Sequence, residues 1–105
     1  MPVVRGGRAG TRTLPPEAVA GLQEAFRAEV AERLPRLEAV RAGSPPDLLA
    51  DALRDAHSLG SSAVVLGEPE ASRVARGIES ALLEGDLTAV PAQVVVLGAL
   101  LEAWR

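Results

Sequence analysis

One side chain stands apart as a candidate for chemistry: His57, the sole histidine among 105 residues. Cysteine is absent, which excludes thiol nucleophiles, disulfides and thiolate metal sites. One histidine without cysteine leaves only scattered carboxylates as further ligands, so no metal site is expected. Asp51 and Asp55 lie near His57 in sequence. Asp55, however, projects about 160° away from His57 around a helix, and no pocket is implied, which argues against a Ser-His-Asp relay. An isolated imidazole can still act as a nucleophile. The ordinary histidine pKa of about 6.5 leaves a mostly neutral ring at neutral pH. If such a ring takes a phosphoryl group, positive charge must stand nearby. Arg54, one turn earlier on the same face, is the candidate; otherwise it is a solvated surface arginine.

The element that must position His57 reads as a helix from about Pro46 to Leu66, closed by Gly67. On a helical wheel, Leu48, Leu49, Ala52, Ala56, Leu59, Ala63 and Leu66 gather on one side as a core face. His57 falls roughly opposite Leu59 and Leu66, so it is expected at mid-helix and exposed. Leu53, Arg54, Gly60, Ser61 and Val64 share its outer face. Gly60 in a helix interior costs about 1 kcal/mol relative to alanine, and Ser61 and Ser62 are only fair helix formers. Small residues one turn after a histidine would leave the imidazole uncovered for a bulky group or a partner protein. Leu53 and Val64 then form an apolar rim suited to docking.

Three more helices are expected around this one. The first begins at Leu14-Pro15-Pro16-Glu17 and carries Val19, Leu22, Phe26, Val30, Leu34, Leu37 and Val40 at gaps of three and four. Pro35 inside it predicts a kink or break just before that residue. A third helix follows Glu68-Pro69-Glu70, with Val74, Ile78, Ala81 and Leu82 on one side, and stops at Gly85-Asp86. The last starts near Thr88, has Pro91 in its first turn and runs to Trp104. Val94-Val95-Val96 is β-branched, but a lone short strand would have no partner, so it is assigned to this helix. Short Pro/Gly turns put sequential helices antiparallel. The expected fold is all-α, an antiparallel up-down four-helix bundle over 14–105, preceded by a flexible basic tail over 1–13 with Arg5, Arg8 and Arg12.

Composition bounds the rest. Apolar residues make up 48%, and the aromatics are only Phe26 and Trp104, so the core is built from Leu, Val and Ala. A net charge of -3 argues against nucleic-acid binding, which favours a basic face. No apolar run reaches the roughly 18 residues of a membrane span, and the start lacks the apolar core of a signal peptide. The expected setting is cytoplasmic, without a membrane. All 11 basic residues are arginine, and no glycine-rich phosphate loop with a lysine occurs, so no ATP site or other cofactor is expected.

The stretch Ala56-His57-Ser58-Leu59-Gly60-Ser61-Ser62-Ala63-Val64-Val65-Leu66-Gly67 resembles the signature of histidine phosphotransfer (HPt) domains. That signature runs roughly Ala-His-x-Leu-Lys-Gly-Ser-Ala-x-x-apolar-Gly. His57, Leu59, Ser62, Ala63, Leu66 and Gly67 fall on family positions without a gap. Phe26 to Glu38 resembles the family's first bundle helix, and Ser72 to Leu83 the helix after the histidine helix. The resemblance implies a phosphocarrier of bacterial two-component signalling, with His57 as phosphoacceptor. Its partners would be a response-regulator receiver domain or a histidine kinase. It implies a monomer, standing alone or as part of a larger kinase. Two positions depart from the pattern: the family's lysine is Gly60 here, and the glycine after it is Ser61. Arg54 or an arginine of the third helix would then have to compensate. The alternative reading is a degenerate module that docks a receiver without phosphotransfer.

Overall fold

The computed structural model describes residues 14–105. The basic tail expected over 1–13 lies outside the described residues. Four helices follow one another: α1 (Pro16–Glu38), α2 (Pro46–Val65), α3 (Pro69–Glu84) and α4 (Val90–Leu100). A 3-10 turn, Glu102–Trp104, follows α4. No strand occurs among the described residues, and Val94-Val95-Val96 is helical. The helices form an antiparallel up-down bundle. None of the described helices is long and apolar enough to cross a membrane.

Proline opens each helix and glycine closes two of them. Pro16, Pro46, Pro69 and Pro91 stand in first turns, where a missing N–H costs nothing. After α3, Gly85 adopts a left-handed φ of 74°, and Asp86 N–H reaches back to the Ala81 carbonyl at 2.9 Å. Gly67 does the same after α2, with φ 77° and Glu68 N–H on the Ala63 carbonyl at 2.8 Å. A side chain with a Cβ would be strained at either φ.

Two expectations about helix limits need correction. Pro35 does not break α1, which continues without interruption to Glu38. Pro35 lies in the last turn, and the exposed, solvated end of the helix tolerates the lost hydrogen bond there. The final α-helix ends at Leu100 rather than Trp104, and its last residues tighten into the 3-10 turn. That turn has a packing role. Trp104 meets Phe26 of α1 edge-on, with ring centroids 4.8 Å apart, and donates its indole N–H to Glu68. Arg27 stacks over the same ring at 5.3 Å.

The core runs through all four helices. Phe26, Val30, Leu34 and Leu37 come from α1, Ala52, Ala56, Leu59 and Ala63 from α2. Val74, Ala75 and Ile78 of α3 and Val90, Val94 and Leu97 of α4 complete it. Leu48, Leu49 and Leu66 pack at its margin. The apolar stripe of α1 outruns this core: Val19 and Leu22 are exposed, and Phe26 is the first residue of α1 to be buried.

The two seams beside α2 differ in kind. Toward α3 the facing residues are small, with Ala56, Gly60 and Ala63 on one helix and Ala71, Ser72 and Ala75 on the other, all buried. Small side chains let two helix axes approach closely. Toward α1 the outer edge of the seam is polar. Asp55, only 1% exposed, accepts from Arg33 Nη1 at 2.8 Å, from Arg36 Nε at 2.8 Å and from Arg36 Nη2 at 2.9 Å. Hydrogen bonding to the Asp55 carboxylate, reinforced by its charge, raises the Arg36 pKa above its ordinary value.

Candidate functional site

His57 sits at the middle of α2 with its side chain 65% exposed. The close α2–α3 approach brings Glu79 of α3 beside it, with Glu79 Oε2 3.0 Å from His57 Nδ1. An ionised carboxylate can only accept, so Nδ1 carries the hydrogen and donates it. The neutral ring then keeps its lone pair on Nε2. A donated Nδ1–H also favours positive charge on the ring when Nε2 forms a new bond. The arrangement is that of a nucleophilic imidazole held in one tautomer by a carboxylate behind it.

The imidazole lies in an open depression of about 540 Å³ lined by Arg33, Leu53, Arg54, His57, Ser58 and Glu79. Three helices contribute. Arg33 comes from α1, where its Nε donates to Glu29 at 3.1 Å and its Nη1 to Asp55. Ser58, next to the histidine, donates its hydroxyl to the same Glu29 oxygen. A polar chain of Arg36, Asp55, Arg33, Glu29 and Ser58 therefore ties α1 to α2 along one flank of the depression. Arg54 lines the depression but pairs with Asp51 one turn back on its own helix.

The expected neighbours of His57 divide between rim and seam. Leu53 is half-buried and lines the depression; Val64 is exposed on the same side of α2. Ser61 is exposed one turn after the histidine. Gly60 is not on the outer face. It is buried in the seam, where a Cβ would stand 3.4 Å from Ala75 Cβ, 3.7 Å from Arg76 Cγ and 3.7 Å from the Ser72 carbonyl. The glycine admits α3, and the exposure of the imidazole does not derive from it.

Sequence reasoning missed Glu79, Asp55, Arg33 and Arg36 as members of this neighbourhood. Glu79 lies 22 positions from His57, and nothing local links the two. Asp55 carried a usable signal, since an acid far round the helix from an exposed histidine needs a cation where it lands. Arg33 and Arg36, one turn apart on α1, are such cations.

The family model described as "Hpt domain" matches residues 21–105. No curated protein and no solved structure matches the chain.

Proposed function

The chain belongs to the Hpt domain family, and from that premise we propose that His57 is its phosphoacceptor. Domains of this family carry phosphoryl groups on histidine in phosphorelays. In the proposed reaction the Nε2 lone pair of His57 attacks the phosphorus of an aspartyl phosphate on a response-regulator receiver. The N–P bond forms as the P–O bond to the aspartate breaks, and that carboxylate leaves with the electron pair. The ring keeps its Nδ1 proton and donates it to Glu79 Oε2, which stabilises the cationic phosphoimidazole. Return of the group to a second receiver reverses these steps. A histidine kinase is the other donor of the same chemistry. The step as written requires no nucleotide on the domain.

The observation that supports this reading is the exposed imidazole whose Nδ1 is engaged by Glu79 while Nε2 is left as the nucleophile. Around it, we assign Arg54 and Ser61 to the border of the place a phosphoryl group would take, while Gly60, expected there too, lies in the seam with α3. Leu53 and Val64 offer the apolar contacts for the docked partner. Such contacts are small and transient, which suits a carrier that must release each partner. We further propose that the domain acts as a monomer in the bacterial cytoplasm, where partners of this class work.

The test uses receiver domains from the same organism, each charged with radiolabelled acetyl phosphate. Wild-type protein takes label from at least one of them, the label is acid-labile and alkali-stable, and His57→Gln takes none. Binding of a receiver without loss of its label would favour docking without transfer instead.

A further inference from the structure

A phosphoryl group on Nε2 adds negative charge to a site that already holds the Glu79 carboxylate, so the site calls for a cation that is not already committed. Most arginines near His57 are committed. Arg33 and Arg36 are on Asp55, Arg54 is on Asp51, and Arg73 is on Glu70. Mutual hydrogen bonding lowers the Glu70 pKa and raises that of Arg73, as expected of a closed pair. Arg76 is different. Among the described residues it makes no ion pair, and its one polar contact is a long 3.4 Å hydrogen bond from Nε to the Ser72 hydroxyl. It lies on α3 one turn before Glu79 and is exposed. Its stem packs against α2 where Gly60 has no side chain, with Cγ 3.7 Å from where a Gly60 Cβ would be. Gly60 itself is one turn after His57. Arg76 is thus one turn from Glu79 along α3 and packs against the residue one turn after His57, and its guanidinium fork suits phosphoryl oxygens.

Resting on the reading of His57 as phosphoacceptor, we propose that Arg76 is the phosphoryl-binding cation of this site, supplied from α3 across the gap left by Gly60. The glycine then has a second consequence beyond close packing: it clears the path of the Arg76 side chain.

The test uses phosphoramidate as a small phosphodonor, so that no receiver is needed, and follows phosphohistidine by ³¹P NMR. Arg76→Ala should form phosphohistidine about tenfold more slowly than wild type, the scale of one lost charge-assisted hydrogen bond. Arg76→Lys should fall between them. Adding Gly60→Lys to Arg76→Ala should restore the rate, since the space that the Arg76 stem vacates beside position 60 can take the lysine stem and a cation returns from α2. Circular dichroism melts of each variant check that the bundle is intact. A rescue by Gly60→Lys separates charge supply from any structural role of Arg76. If wild type is labelled at His57 and Arg76→Ala matches its rate, the assignment of Arg76 is overturned while His57 stands. If Arg76→Ala is slow and Gly60→Lys does not restore it, the cation role is likewise overturned. If neither phosphoramidate nor any charged receiver labels wild type, both readings fall.

Discussion

Glu79 Oε2 and His57 Nδ1 stand 3.0 Å apart across the α2–α3 seam, joining two residues 22 positions apart in the chain. The contact depends on a seam lined by Ala56, Gly60, Ala63, Ala71 and Ala75, because bulkier residues would hold the helices further apart.

Removing that carboxylate should therefore change the ring before it changes the fold. In Glu79→Ala, ¹⁵N shifts of the His57 imidazole should move away from the Nδ1–H tautomer. Phosphotransfer should slow by about tenfold to a hundredfold, the range for losing a hydrogen bond to a charged group. Unchanged ¹⁵N shifts would show that Glu79 does not select the tautomer.

Asp55 tests the other flank. Asp55→Ala leaves Arg33 and Arg36 facing each other without their shared carboxylate. Loss of one member of a buried pair is strongly destabilising. Both arginines keep partial access to water, so the expected cost is about 2–4 kcal/mol by urea melt. A change below about 0.5 kcal/mol, the scale of an ordinary surface substitution, would mean that the pair does not hold α1 against α2.

Gly60 should accept one carbon and resist a branched side chain. A Cβ there meets Ala75 at 3.4 Å, at the near edge of ordinary contact. Gly60→Ala should raise stability by up to about 1 kcal/mol through helix propensity. Gly60→Leu should instead force α3 outward and lower it. A destabilised Gly60→Ala would show that the seam has no slack.

Much of this architecture was legible in the sequence. The three- and four-residue gaps from Phe26 to Leu37 gave α1 its buried stripe, and Gly67 and Gly85 marked the two left-handed helix ends. Pro35 misled because propriety of a proline depends on its distance from the helix end, which the stripe alone does not fix. On α2 the wheel separated Ala52, Ala56, Leu59 and Ala63 from His57. It misplaced Gly60, because a wheel has one core direction whereas α2 packs against both α1 and α3. The partners of His57 and Asp55 stayed hidden for the same reason: they belong to neighbouring helices, and helix-to-helix register is set by packing across the seam.

Val64 probes the docking face. It is 55% exposed, so Val64→Asp should leave helicity by circular dichroism intact. Receiver binding should weaken about tenfold, equivalent to about 1.4 kcal/mol. Full retention of binding would move the partner surface elsewhere on the bundle.

If Nε2 of His57 carries the phosphoryl group, the N–P bond must lie on that nitrogen. After transfer from a charged receiver, ¹⁵N and ³¹P NMR of the isolated domain should show phosphorus bonded to Nε2 of His57, with Nδ1 still protonated. Phosphorus on Nδ1, on any other residue, or on none would overturn Nε2 of His57 as the acceptor.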